Sequence, residues 1–348
     1  MGPIQRLLAS GRIPDPVLRA GARLSIARRL VSLNLGYRRS SDPLAAVAAR
    51  RSTGPIAVAT DHANSQHYAV APGFFELVLG PRLKYSSCLF ENDRATLAQA
   101  EEAMLALTVE RSGVRDGMEV LDLGCGWGSL SLWLAEALPE VRVTGFSNSA
   151  AQREFILARA ADRGLADRVT VITGDVNELD LGRRFDRVVS VEMFEHARNW
   201  QALLERVARH LHSDGALFVH TFAHRRHAYD FERGWMADRF FTGGQMPAAG
   251  LLGRIASPLR LDRQWWVGGE HYARTSAGWL ANLDANRAAV LAALRATEGD
   301  RASAALEEWR IFFIAVEELF GLRGGREWGV VHQLLTPAGD KGLTRRGL

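Results

Sequence analysis

Val120-Leu121-Asp122-Leu123-Gly124-Cys125-Gly126-Trp127-Gly128 is an apolar run with one carboxylate that breaks into three glycines, and Ser129-Leu130-Ser131-Leu132-Trp133-Leu134 follows it. A buried strand, a tight turn and a helix in that order make a nucleotide-type site, in which turn amides and a helix N-terminus face the ligand. The spacing narrows the ligand. A dinucleotide site has G-x-G-x-x-G, whose glycines admit a pyrophosphate, and an acid about 20 residues on. This chain has G-x-G-x-G, and its next strand-like run, Val141-Arg142-Val143-Thr144-Gly145-Phe146, ends without an acid.

Around that stretch, strand and helix patterns alternate. Strands are expected over residues 119–123, 141–146, 169–173, 187–191 and 216–222, with a closing strand over 328–335. Helices are expected over 96–112, 129–137, 150–163 and 200–211, with a long one over 303–319. Apolar runs separated by helices predict an α/β fold with a mostly parallel sheet and right-handed crossovers. Ser149-Ala150-Ala151-Gln152 has the spacing of a capping box. Upstream, residues 17–35 read as an amphipathic helix among arginines and 42–51 as a second helix. Downstream of Phe222 the pattern becomes irregular and aromatic, with Phe231, Trp235, Phe240, Phe241, Trp265, Trp266, Tyr272 and Trp279 close together. Such a cluster is either the core of a cap or a lid over an apolar or cationic substrate. The expected division is a helical segment with covering loops at 1–95, a ligand-binding core at 96–224, a cap at 225–325, and a closing strand and tail at 326–348.

The 348 residues are 47% apolar and 24% charged, which is globular material. No apolar run reaches the about 18 residues that a bilayer needs, and Met1-Gly2-Pro3-Ile4-Gln5-Arg6 lacks a signal peptide's apolar stretch. A cytoplasmic location is expected. Cys88 and Cys125, the two cysteines, lack metal-ligand spacing, so no metal site is expected. The net charge of +4 is uneven: residues 1–55 hold ten arginines against Asp15 and Asp42. That segment is either a solvated helical face or a peripheral contact with anionic lipid. No nucleic-acid-binding signature accompanies it.

The stretch richest in reactive groups is Ser190-Val191-Glu192-Met193-Phe194-Glu195-His196, at the end of the fourth expected strand. If a helical turn starts at Met193, then Glu192, Glu195 and His196 project to one side. Two carboxylates and an imidazole converging on an apolar cleft tune one another's pKa values for proton transfer.

The glycine loop resembles motif I of class I S-adenosylmethionine-dependent methyltransferases, whose seven-stranded, mostly parallel Rossmann-like sheet carries N-terminal helices and a cap. By that resemblance Asp175, in Thr173-Gly174-Asp175-Val176, accepts from the adenine amino group. Asn148 and Gln152 replace the usual ribose-binding acid. The donor-binding set is then Tyr85, Ser86, Asp122, Gly124, Gly126, Asn148, Gln152, Asp175 and Val176. Together, Asp122 to Gly128, Glu192 to His196 and Tyr85-Ser86-Ser87-Cys88 resemble the cyclopropane-fatty-acid-synthase superfamily. Within it, the coclaurine N-methyltransferase-like branch is matched by Ser65-Gln66-His67-Tyr68, Phe240-Phe241-Thr242-Gly243-Gly244 and His271-Tyr272-Ala273.

The resemblance implies methyl transfer from S-adenosylmethionine to the nitrogen of a small aromatic or cyclic amine. Glu192, Glu195 and His196 are its catalytic set, with Glu195 and His196 as the base and Glu192 holding the ammonium or a substrate hydroxyl. The alternative acceptor is a phospholipid acyl double bond, for which related enzymes hold a bicarbonate. Cys88, His220, Phe222, Phe241 and Tyr272 are expected around the acceptor or that bicarbonate. Lipid-modifying members usually carry glycine or alanine where this chain has Glu192. A homodimer is implied by the same likeness. A donor-binding protein without catalysis is the reading from outside enzymology, and the intact Glu192, Glu195 and His196 set speaks against it.

Overall fold

The strand, turn and helix expected at residues 119–137 form the centre of the structure, a computed structural model that describes residues 7–37, 42–57, 72–231, 234–240 and 243–338. Helices α1 (Asp15–Tyr37), α2 (Pro43–Arg50) and the short α3 (Pro72–Val78) lead into α4 (Leu97–Ser112). The alternating core follows as β1 (Glu119–Leu123), α5 (Ser129–Ala137), β2 (Arg142–Ser147), α6 (Ala150–Asp162), β3 (Val169–Thr173), β4 (Phe185–Val191), α7 (Trp200–Arg209) and β5 (Leu211–His224). Then come β6 (Tyr229–Asp230), α8 (Trp235–Phe240), β7 (Gln245–Met246), β8 (Leu259–Gly268), α9 (Gly269–Ala285), α10 (Arg287–Glu298), α11 (Ala302–Gly321) and β9 (Trp328–Pro337).

Local chemistry explains the boundaries. Thr96 and Gln99 form a reciprocal capping box at the start of α4, and Gly113, at φ +66°, closes it. At α6 only half of the expected box forms. Ser149 accepts from the Gln152 amide, whereas the Gln152 side chain accepts from Ser147 Oγ at 2.7 Å.

The main sheet has seven strands in the order β3-β2-β1-β4-β5-β9-β8, as the class I resemblance implies. The first five are parallel; β9 runs antiparallel to β5, and β8 antiparallel to β9. The winding reverses between β1 and β4, so the crevice at their C-terminal ends is where an open α/β sheet takes a ligand. The glycine turn and the Glu192 stretch both lie there.

Residues 225–325, expected as a helical and aromatic cap, carry a strand of the main sheet as well as helices. They contribute β8, the edge strand of the main sheet, and the helices α9 and α10. Arg260, Asp262, Arg263 and Gln264 give β8 the charge of an exposed edge, and a register shift between Leu261 and Arg263 breaks its alternation. In α9, Gly278 and the bulky aromatics are weak helix formers, yet Tyr272, Thr275, Ser276, Trp279 and Leu283 are buried at spacings of three and four. Packing outweighs propensity there.

The aromatics mostly pack on one another. Trp309, 1% exposed, lies 4.7 Å from Phe74, 4.9 Å from Phe240 and 5.6 Å from Phe313, measured between ring centroids. Trp309→Ala is expected to destabilise the fold by about 3–5 kcal/mol, as read from urea unfolding; a loss under about 1 kcal/mol would mean that the site collapses without cost.

Two of the N-terminal arginines serve packing: Arg19 and Arg23 of α1 pair with Glu318 of α11 at 2.9 and 2.5 Å. Among the described residues no helix is long and apolar enough to cross a membrane. The motif at residues 65–68 lies outside the described residues.

Candidate active site

Backbone geometry at the glycine turn makes a cradle. The amides of Gly124 and Cys125 both donate to Phe146 O, at 2.9 and 3.1 Å, pinning the turn to the end of β2. Gly124 has φ +87°, and a Cβ there would meet Met193 Cγ at 2.8 Å. Side chains are therefore excluded both by conformation and by space. Ser129 opens α5 with a buried hydroxyl that has no hydrogen-bond partner. Ser129 and the N-terminus of α5 lie at the wall of a cavity of about 240 Å³. Buried Asp122 accepts from Ser131 Oγ at 2.6 Å, and burial pushes its carboxyl up to about 6.

At the end of β4 the backbone turns sharply. Glu192 has φ +49°, a left-handed conformation costing a non-glycine residue about 1–3 kcal/mol. It persists because three donors hold its carboxylate. Oε1 accepts from the Ser87 amide at 3.0 Å and faces His220 Nε2 at 3.3 Å, while Oε2 accepts from the Tyr272 hydroxyl at 2.7 Å. A carboxylate has about four lone-pair sites, which leaves one open on Oε2, on a side chain that lines the cavity. Burial pushes the Glu192 carboxyl above the usual glutamate range; the Lys84 ammonium, the Ser87 amide and the Tyr272 hydroxyl push back.

The Phe194–His196 turn is 3-10 rather than α-helical, anchored by buried Phe194 and by Trp200 Nε1 donating to Phe194 O at 2.9 Å. The expected one-sided trio is thereby split. His196 lines the cavity with Glu192, and burial lowers its pKa, leaving a neutral imidazole. Glu195 does not line it; its Oε1 accepts from the Phe222 amide at 2.7 Å, tying the turn to β5, and its Oε2 is buried without a partner. Burial, then the nearby Glu192 charge, raises the Glu195 pKa well above the ordinary value. Glu195, expected as the base together with His196, thus lies off the cavity wall and is tied to β5.

The sequence matches the mycolic acid cyclopropane synthetase family over residues 58–321. The chain belongs to that family. It is 33% identical to the (S)-coclaurine N-methyltransferase of Thalictrum flavum subsp. glaucum, over 94% of this chain and 93% of that one. The crystal structure of a coclaurine N-methyltransferase bound to N-methylheliamine and SAH superposes with a TM-score of 0.90 at 30% identity, covering 96% of this chain and 98% of that one. The cyclopropane-fatty-acyl-phospholipid synthase of Escherichia coli strain K12 is 31% identical over 62% of this chain and 54% of that one. This member of the mycolic acid cyclopropane synthetase family is an S-adenosylmethionine-dependent methyltransferase. The glycine cradle and the unpartnered Ser129 hydroxyl fit that donor.

Of the residues expected to hold the donor, Tyr85, Ser86, Asp122, Gly124, Gly126, Asn148, Gln152 and Val176 line the cavity. Asp175 does not. Its Oδ1 accepts from the Asn177 amide and side chain at 2.8 and 2.9 Å, capping the turn over Val176–Glu178. Phe222 and Tyr272 line the cavity, and Phe241 lies outside the described residues. Cys88 and His220 sit behind the wall, where burial pushes the Cys88 thiol up to about 12.

A bicarbonate does not fit this member of the family. Ser87, His220 and Tyr272, the donors converging beside the cavity, already hold the Glu192 carboxylate. Sequence reasoning missed Lys84, which lines the cavity and donates to Ser86 Oγ and Ser87 O at 2.5 and 2.7 Å. Its place directly before Tyr85-Ser86 was the available signal. It also missed Ser129, readable as the first helical residue after the glycine turn.

Proposed function

We propose that this enzyme methylates the nitrogen of a small aromatic or cyclic amine. The observation carrying the reading is Glu192, a cavity-wall carboxylate with one acceptor site left after three donors. A protonated amine supplies the missing donor. An alkene has none, and an unpaired carboxylate facing an acyl chain would cost several kcal/mol.

The bound donor supplies an electrophilic methyl on sulfur. The nitrogen lone pair forms the new C–N bond as the C–S pair returns to sulfur, so the amine must first lose its proton. Glu192 orients the N–H and, with the neutral imidazole of His196, takes that proton. Tyr272, Trp279 and Phe312 on the same wall present aromatic faces to a cationic acceptor and exclude water. Glu195 acts through the Phe222 amide as a positioning residue. The loop before α4 and helix α9 act as covers over the cavity, to which they lend Tyr85 and Trp279.

Methyl-labelled donor offered together with a panel of cyclic secondary amines and with vesicles of cis-unsaturated phospholipid tests the reading. Label is expected in the amine fraction. Label confined to acyl chains would overturn it.

A further inference from the structure

Behind Glu192 runs a buried chain of side chains that the methyl-transfer scheme does not use. His220 of β5 and His332 of β9 are directly opposed in the antiparallel register, and Trp265 of β8 opposes His332, so the three form one row across the sheet. Both imidazoles are fully buried. His220 Nδ1 lies 2.9 Å from His332 Nε2, and His332 Nδ1 lies 2.9 Å from Arg111 Nη1. Arg111 is in the last turn of α4, half-exposed, with its guanidinium 5.1 Å from the centre of the Trp265 ring.

Only one assignment of protons satisfies this chain. A guanidinium donates and never accepts. His332 Nδ1 must therefore accept, which leaves the His332 proton on Nε2. That proton faces His220 Nδ1, which must accept in turn, so the His220 proton sits on Nε2 and points at Glu192 Oε1, 3.3 Å away. We propose that Arg111 and His332 are positioning residues for the active-site carboxylate: the guanidinium at the sheet's far edge, through two imidazoles, fixes which nitrogen of His220 faces Glu192. This deepens the methyl-transfer reading and rests on it for its purpose.

The chain is a lock and not a proton wire. A proton arriving at Glu192 meets a His220 nitrogen that already carries one, and the far end is a cation that cannot accept. The substrate's proton therefore stays in the cavity with Glu192 and His196. The lock also favours the ionised, accepting form of Glu192, as do Lys84 and the Ser87 amide from the loop before α4, Tyr272 from α9 and His196 from its own turn, while burial and the neighbouring Glu195 oppose it. Facing His332 are Arg111 and His220, with Lys84 further off.

The test uses the full-length enzyme without substrate. Ring nitrogen-15 shifts report the tautomers of His220 and His332, and the carbon-13 shift of the Glu192 carboxyl, assigned with Glu192→Gln, reports its titration. Both histidines are expected as Nε2–H tautomers. Arg111→Lys, still a pure donor, should preserve them. Arg111→Met keeps a stem beside Trp265 but frees His332, and should move the Glu192 midpoint upward by about one to two pH units, the worth of one hydrogen bond to a charged group. An Nδ1–H or doubly protonated His332 in the wild type overturns the proposal, which keeps it decidable even if Arg111→Met fails to fold. So does Arg111→Met that leaves tautomers and midpoint unchanged. None of these readouts needs turnover. Failure to methylate amines would instead sink the functional reading and leave the tautomer result standing.

Discussion

Glu192→Gln is expected to lower kcat for amine methylation by about 10²- to 10⁴-fold, the range for loss of a positioned acid–base group, while donor affinity changes only a few-fold. Glutamine keeps the shape but removes the charge that accepts the proton. Activity in the wild type should rise with pH through a limb that lies above the ordinary glutamate range, because burial raises the Glu192 pKa. Below that pKa the carboxyl is protonated and cannot serve as base; above it the carboxylate is available. Glu195→Gln is the control. Glu195 lies off the cavity wall and its Oε1 accepts from the Phe222 amide, a bond the glutamine carbonyl can keep, so turnover should stay within about ten-fold, below the loss of an essential acid or base. Equal losses in the two variants would return the base to Glu195.

The backbone adds a second reading of the same position. At φ +49°, Glu192→Gly relieves backbone strain of about 1–3 kcal/mol, which offsets only part of the cost of leaving three buried donors unpaired, so melting temperature should fall and catalysis be lost. The Ser87 amide, His220 and Tyr272 then point into a space the size of a carboxylate. Formate in the assay should restore part of the turnover in Glu192→Gly and none in Glu192→Gln, where the side chain still fills the place.

Gly124→Ala is expected to damage binding and chemistry together. An L-residue at φ +87° is strained by about 1–2 kcal/mol, and the new methyl would stand 2.8 Å from Met193 Cγ and 2.9 Å from Met193 Cβ. Met193 adjoins Glu192, so making room shifts the carboxylate as well as the turn amides. Donor affinity measured by calorimetry should fall at least about ten-fold, and kcat with saturating donor by about 10²-fold, the cost of misplacement near 1 Å. Unchanged affinity would mean that the turn is not the donor's cradle. Gly126→Ala is gentler: its φ is +53°, but nothing lies within 4 Å of the added carbon.

Much of this was legible before the fold was known, for local reasons. The run at residues 120–128 joins a fully buried strand to a turn that only glycine can make, and both signals are confined to nine residues. The Glu192 stretch could be placed at the ligand crevice because it follows an apolar strand in an alternating pattern. What could not be read was direction. Glu195 is turned away from the cavity by a 3-10 turn whose geometry depends on Phe194 packing against Trp200, a contact with no local signature. Asp175 Oδ1 accepts from Asn177 two residues later, a short-range bond always open to an aspartate at a strand end. The link from Arg111 to His332 spans 221 positions and exists only because β9 pairs with β5. The strand β8 was hidden for a different reason: an exposed edge is charged and bulged, and so lacks the alternation that reveals interior strands.

The central claim is that Glu192 faces the acceptor nitrogen. A crystal structure with the demethylated donor product and a cyclic amine tests it most directly. The account predicts the amine nitrogen within about 2.6–3.2 Å of Glu192 Oε2 or a ring nitrogen of His196, on the side of the cavity lined by Tyr272 and Trp279. An amine bound elsewhere, with Glu192 still closed on Ser87, His220 and Tyr272 and nothing at its open site, would contradict it.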